Sequence, residues 1–121
     1  MTELDLVVSA VCSLAEDYRT FGDRSAVDLV RRSGYLRHRA DVTVDRLSSC
    51  LADRPDWVSS WFAWSEDSGA SPKWYILECG PAHFEVGYFD GGRHPLDSIA
   101  DRVQACAEYV HREVGGIADL A

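Results

Sequence analysis

The chain has 121 residues, 46% hydrophobic and 26% charged, with a formal net charge of −8. This usage is typical of a globular protein and excludes a disordered tail, and the length predicts a single domain over residues 1–121. Residues 61–121 carry 10 acidic against 4 basic side chains, so nucleic acid is a poor partner and a basic protein a better one.

The N-terminus lacks the features of a secretion signal. Glu3 and Asp5 stand where a signal peptide has basic residues, and no apolar run approaches the ~18 residues that span a membrane. The four cysteines (Cys12, Cys50, Cys79 and Cys106) form no C-x-x-C pair, which disfavours a zinc site. We therefore expect a cytoplasmic protein with mostly buried, reduced thiols, no cofactor, and no metal or membrane partner.

Three helices are predicted in the first half of the chain. Thr2 caps the first, whose apolar stripe runs from Leu4 to Tyr18. Asp23 caps a shorter second helix that Gly34 ends, and residues 35–43 form a connector. The third begins near Thr43, and Pro55 either ends it or starts the helix that follows.

The stretch "WVSSWFAWSEDSG" concentrates tryptophan. Trp57, Trp61 and Trp64 stand at i, i+4 and i+7, which predicts a helix from about Asp56 to Ser65 with a core-facing stripe. A buried strand is the alternative, because Trp, Val and Phe all favour strands.

Two strands and a long helix complete the predicted fold. "KWYILEC" and "HFEVGYF" form a hairpin around "GPA", and "DGG" closes it. The stripe from Leu96 and Ile99 to Val114 predicts a final helix, with Asp97 in its first turn and Gly115-Gly116 at its end. The fold class is α+β: several N-terminal helices, a central antiparallel β-hairpin or small sheet, and a long C-terminal helix packed on it.

Candidate catalytic residues are few. The chain has no phosphate loop, no G-x-S-x-G and no H-E-x-x-H. Cys79 and His83 flank the hairpin turn and form one candidate nucleophile–base pair, although a strand-end thiol and a solvated histidine are the more common explanation.

An acidic patch with aromatic side chains is the stronger signal. Glu66 and Asp67 follow the end of the predicted tryptophan helix, where negative charge meets the negative end of the dipole. A solvated loop explains them about as well as a function does. Aromatic anchors within a charged rim suit a protein-binding surface, with Tyr75 as a further aromatic side chain. The predicted partner-binding residues are Glu66, Asp67, Trp74, Glu78, Glu85, Tyr88 and Asp90.

The same residues carry a resemblance. "PDWVSSWFAWSEDSGASPKWYILECGPAHFEVGYFDGG" and "ACAEYVHREVGGI" resemble small bacterial immunity proteins of polymorphic toxin systems, including contact-dependent growth inhibition. The shared features are a W-x-x-[WY]-S-E-D turn, a W-Y strand, a V-G-Y-[FY] strand and a final helix with A-C-A, within residues 43–117. The resemblance implies a non-enzymatic cytoplasmic antidote whose partner is a cognate toxin domain, often a basic nuclease.

Two other functions remain open at this stage. One is a small enzyme that uses Cys79 and His83, or carboxylates such as Glu66 and Asp67. The other is a structural homodimer that pairs hairpin edges into a larger sheet.

Overall fold

A computed structural model describes residues 1–22, 24–67 and 73–121 of the chain. Within these residues, seven α-helices and a three-stranded antiparallel sheet of order β1-β2-β3 give the predicted α+β fold, with the last helix packed on the sheet. The elements are α1 (Glu3–Cys12), α2 (Leu14–Phe21), α3 (Ala26–Ser33), α4 (Tyr35–His38), a 3-10 helix (Arg39–Asp41), α5 (Val44–Ala52), α6 (Pro55–Asp67), β1 (Lys73–Gly80), β2 (His83–Phe89), β3 (Arg93–Ile99) and α7 (Arg102–Ala118).

The first predicted helix is two helices. Thr2 caps α1 in a reciprocal capping box with Asp5, as its position predicts. The apolar stripe continues past Cys12, but the helix breaks at Ser13. The Ser13 hydroxyl donates to the Asp17 carboxylate (2.8 Å), with the Ala10 carbonyl as a longer, alternative acceptor (3.3 Å), and such local bonds compete with helix continuation.

The predicted connector after Gly34 is largely helical. The cap predicted at Asp23 lies outside the described residues, and the Ser25 hydroxyl caps α3 instead, accepting from the Asp28 N–H. Gly34 ends α3 with φ of +85°, as predicted, and its position leaves no room for a side chain beside Val7. The connector prediction is wrong for α4, where Tyr35 is only 3% exposed and belongs to the core.

The tryptophan stretch is a helix, as predicted. Pro55 occupies the first position of α6, where its missing N–H costs nothing. Trp61 is fully buried, while Trp57 and Trp64 are half-buried against the core. The Arg54 guanidinium lies over the Trp57 ring at 3.7 Å from its centroid. The stripe therefore serves the core, and its edges reach the surface.

The hairpin forms as predicted, with Trp74 opposite Tyr88 and Ile76 opposite Val86. A third strand, β3, pairs with β2, so the assignment of Leu96, Asp97 and Ile99 to the final helix is wrong. Leu96 and Ile99 are three positions apart, a spacing that is also typical of the apolar stripe of a helix. The helix begins instead after Asp101, whose carboxylate accepts from the Gln104 N–H at 2.8 Å.

The two outer edges of the sheet differ. The edge of β1 that does not pair with β2 is covered by α6, where the Ser65 hydroxyl hydrogen-bonds to the Ile76 backbone. The edge of β3 is exposed, but Pro95 removes one N–H, and a register shift beside Asp97 leaves Leu96 unpaired and 53% exposed. These features hinder the edge-to-edge pairing that a homodimer of larger sheets requires.

The final helix runs through Gly115 and Gly116 to Ala118, so the predicted end at these glycines is wrong. Their small size serves packing. A β-carbon on Gly116 would lie 3.3 Å from the Trp74 indole nitrogen, and one on Gly115 would lie 3.5 Å from the Arg39 guanidinium. Both neighbours approach the helix closely because no side chain intervenes.

The prediction of mostly buried thiols holds for two of the four cysteines. All four are free; Cys12 and Cys106 are buried, Cys50 is half-buried, and Cys79 is exposed on β1. Cys79 departs from the prediction because it lies near the end of β1, where the strand is exposed. Within the described ranges, every helix is too short or too polar to cross a membrane.

Candidate functional site

Glu66 and Asp67 form the last turn of α6, rather than a loop after it. Both side chains are exposed, and the negative end of the helix dipole makes this position mildly unfavourable for acids. In the part of the chain that the structure describes, neither carboxylate takes part in an ion pair. The two acids therefore place two negative charges without an ion pair at one helix end, where the Lys73 ammonium is also held.

Ser65 fixes this helix end to the sheet. Its buried hydroxyl accepts a hydrogen bond from the Ile76 N–H (3.0 Å) and donates one to the Ile76 carbonyl (3.3 Å). The Lys73 ammonium donates to the Ser65 carbonyl at 3.0 Å. The last turn of α6 is thus joined to the edge strand immediately before the two exposed acids, which restricts their position.

A buried network of hydrogen bonds between α6 and α7 also holds this helix end. The Glu113 carboxylate of α7 accepts from the Trp64 indole N–H (3.0 Å) and from the Tyr109 hydroxyl (2.8 Å). Burial raises the pKa of Glu113 above its ordinary value and raises the pKa of Tyr109 well above its own. Because the indole N–H is held by a buried acid, the Trp64 ring has one fixed orientation.

A groove of about 410 Å³ lies between α2 and α6 and reaches this acidic end. Tyr18 and Trp64 meet edge to face in its wall, with ring centroids 5.0 Å apart, and Tyr18 is 43% exposed. The two helices carry five acidic residues and one arginine. Residues that line the groove are Ala15, Tyr18, Arg19, Ser25, Ala26, Ser60, Ala63, Trp64 and Asp67.

The single arginine of the groove is paired. Arg19 lies 2.7 Å from the Glu16 carboxylate, which also accepts from the Ser60 hydroxyl at 2.6 Å. The Ser60 hydrogen bond and the arginine lower the pKa of Glu16. With Arg19 paired to Glu16, Asp67 is the charged lining residue without an ion-pair partner among the described residues. An aromatic wall beside such a carboxylate suits a cationic side chain.

The other predicted site residues lie elsewhere. Trp74, Tyr88 and Glu78 are on the sheet face that α7 covers. The Trp74 and Tyr88 rings pack at 4.7 Å, the Arg112 guanidinium lies over Trp74, and Glu78 pairs with Arg102 of α7 at 3.1 Å. Trp74 and Glu78 thus join α7 to the sheet, and Tyr88 packs on Trp74.

Glu85 and Asp90 occupy two further places. On the opposite face of the sheet, Glu85 accepts from the Tyr75 hydroxyl (2.7 Å) and lies 3.1 Å from Arg93. Tyr75 lies over Gly87, where a side chain would collide with it, and is buried, so its expected place in an exposed patch is wrong. Asp90, in the turn before β3, pairs with His94 of that strand at 2.8 Å, and this pairing lowers the pKa of Asp90.

The candidate catalytic pair is not assembled. Cys79 and His83 are both exposed on either side of the hairpin turn, and no hydrogen bond between them is found among residues 73–121. Across the described ranges, no group of three or more His, Cys, Asp or Glu side chains is placed to hold a metal ion.

Of the predicted partner-binding residues, Glu66 and Asp67 lie together at one helix end. The groove beside them is not predicted from the sequence. The sequence assigns Tyr18 to a core stripe and gives no role to Ser60 or Ala63, because a groove between two helices depends on how they pack. Comparisons with protein-family models, with curated proteins and with solved structures find no match.

Proposed function

We propose that the chain is a cytoplasmic immunity protein that binds and neutralises a basic toxin domain, and that the acidic end of α6 and the α2–α6 groove form its binding surface. The observation that carries the proposal is the pair Glu66 and Asp67. They are exposed, adjacent and without an ion pair in the described chain, at a helix end that disfavours acids. The fold itself gives these two carboxylates no partner among the described residues, whereas a basic partner protein would supply one.

Support also comes from the way these acids are held. Ser65 ties the helix end to β1, and Glu113 holds Trp64 in place. A rigid surface loses little conformational entropy on binding, so more of the interaction energy appears as affinity. The partner contacts would then form against a surface already in its bound geometry.

The groove suits an arginine or lysine side chain of the partner. A guanidinium over the exposed Tyr18 ring gains a cation–π contact, and the Asp67 carboxylate at the rim provides an ion pair. Enclosure by apolar walls strengthens that pair by excluding water. The net charge of −8 adds long-range attraction, which raises the association rate for a basic partner and falls with salt.

The test is calorimetry with a purified toxin domain, encoded next to the gene for this chain. We expect Glu66→Lys combined with Asp67→Lys to weaken binding by about 2 kcal/mol or more, the size of a hot-spot loss. The matched control is Asp41→Lys combined with Asp53→Lys. It makes the same change in net charge at two exposed sites, one of them also at a helix C-terminal end.

The two double variants separate local contact from overall charge. If both weaken binding equally, the effect comes from net charge and the proposed surface is wrong. If neither changes affinity or its salt dependence, electrostatic recognition fails altogether. A toxin domain that shows no binding to the wild-type chain contradicts the immunity function itself.

A further inference from the structure

Cys12 and Cys50 meet where α1 packs against α5. The Cys12 thiol contacts the Leu47 carbonyl at 3.8 Å, and Leu47 lies one helical turn before Cys50 on the same face of α5. The Cys12 thiol therefore packs against the turn of α5 that carries Cys50. Cys12 is fully buried, whereas Cys50 is half-buried, so only one member of the pair reaches solvent.

Cys50 opens onto a surface cavity of about 490 Å³ between the two helices. Its lining combines apolar Met1 and Val8 with polar and charged side chains, which are Asp5, Ser9, Asp45, Arg46 and Ser49. A small, uncharged oxidant therefore has a path to Cys50.

The electrostatic surroundings favour the thiolate of Cys50. The hydrogen bond from Cys12 lowers the pKa of Cys50 to about 7, and the positive charge of Arg54 acts in the same direction. The same hydrogen bond, together with burial, raises the pKa of Cys12. Cys106 is different, because burial raises its pKa to about 12. The thiolate of the pair therefore resides on the accessible sulfur.

We propose that Cys50 is a modification site at which hydroperoxides oxidise the protein, with Cys12 as the resolving thiol that closes a Cys12–Cys50 disulfide. This proposal is independent of the immunity function. An accessible sulfur at a surface cavity, with a second thiol packed against the same turn of α5, is what a peroxide-sensitive pair requires.

The reaction has two balanced steps. The Cys50 thiolate attacks the peroxide; an S–O bond forms, the O–O bond breaks, and the departing hydroxide or alkoxide takes a proton from solvent. Cys12 then attacks the Cys50 sulfenic acid; an S–S bond forms, the S–O bond breaks, and the hydroxide leaves as water with the Cys12 proton. Two electrons pass from the thiols to the peroxide.

Trp61 fluorescence would report the formation of this disulfide. The Trp61 indole N–H donates to the Cys12 carbonyl at 2.8 Å, so a change at Cys12 alters the surroundings of a fully buried tryptophan. We expect intrinsic fluorescence to change on oxidation and to return when a dithiol reductant is added.

The test uses the full chain with Cys79→Ser, which removes the exposed thiol and its intermolecular side reactions. Hydrogen peroxide should produce a species lighter by two hydrogens, and peptide mapping under non-reducing conditions should place the bond between Cys12 and Cys50. In parallel, the alkylation rate of Cys50 in the reduced protein should rise with pH around a midpoint near 7.

Two variants at Cys12 separate its roles. Cys12→Ser keeps a hydroxyl donor, so the low midpoint should persist while the disulfide is lost and a sulfenic acid is trapped by dimedone. Cys12→Ala removes the donor, and the midpoint should rise by roughly 1 pH unit. Thermal melts of both variants show whether they are folded.

Three results overturn the proposal. They are a peroxide-treated protein without a Cys12–Cys50 bond, a Cys50 midpoint no lower than that of Cys79 in the wild-type chain, and equal midpoints for the Ser and Ala variants. None of these measurements uses the toxin domain, so their failure leaves the proposed binding surface untouched.

Discussion

The middle and the end of α6 belong to one helix but are governed by different forces. Trp61 is fully buried, donates to a backbone carbonyl and contacts the rings of Trp64 and Tyr109. Five residues later, Glu66 and Asp67 project from the same helix into solvent. Burial fixes the position of Trp61, whereas Glu66 and Asp67 do not pack against the core. Trp61 therefore builds the fold, and the two acids are available to a partner.

The largest effect is expected at the buried middle. Trp61→Ala should lower the free energy of unfolding by ~3–5 kcal/mol, because it removes a large core side chain and leaves a cavity. Denaturant melts measure the change. Trp57→Ala, on the same stripe but half-buried, should cost less than about half as much. Equal losses for the two variants would contradict the distinction between a buried and an edge tryptophan.

Ser65 lies at the boundary between the two regions. Ser65→Ala should cost roughly 1–3 kcal/mol, because the buried Ile76 N–H loses its hydrogen-bond acceptor. Ser59→Ala is the matched control, since Ser59 is exposed on the same helix and alanine is a good helix former. We expect that control to change stability by less than about 0.5 kcal/mol. A Ser65 loss as small as the control's would mean that the helix end is not tied to β1.

The pH dependence of stability tests the buried network around Glu113, which holds Trp64 near the end of α6. Its pKa is raised in the folded protein, so between the unfolded and folded pKa values the folded state holds more protons than the unfolded state. Stability therefore falls as pH rises through that window. Glu113→Gln removes this contribution, so wild type should lose stability relative to the variant as pH rises from about 4 towards neutrality.

The pH dependence is measured as the difference between the two unfolding curves, which cancels the other carboxylates. Glu108→Gln, on the same helix, controls for the loss of one carboxylate. A difference between wild type and Glu113→Gln that stays constant with pH would contradict a buried, proton-binding Glu113.

The sequence predicts most elements because local signals and packing agree. The spacing of Trp57, Trp61 and Trp64 indicates α6, and the alternation in residues 83–89 indicates β2. β3 is missed because Leu96 and Ile99 also match the start of a helical stripe, and only pairing with β2 decides between the two. Gly115 and Gly116 suggest a helix end, but Trp74 and Arg39 approach them from distant segments.

The candidate site is harder to predict than the fold. Adjacent residues such as Glu66 and Asp67 stay together in any fold. Glu78 and Glu85 separate because a strand directs its residues to two faces and because Arg102 and Arg93 pair with them. The α2–α6 groove joins Tyr18 to Trp64 across 46 positions of chain, so no local pattern announces it.

The smallest effect is expected at the exposed end of α6. Glu66→Lys with Asp67→Lys should change the free energy of unfolding by no more than about 0.5 kcal/mol, because both side chains are exposed and lose no described ion pair. Any change should be a gain, since lysine suits the negative end of the helix dipole. Thermal and denaturant melts of the variant used for the binding test measure this directly. Weakened binding with unchanged stability would assign the two acids to recognition, whereas a loss of about 2 kcal/mol or more would make them part of the fold and remove the contrast with Trp61.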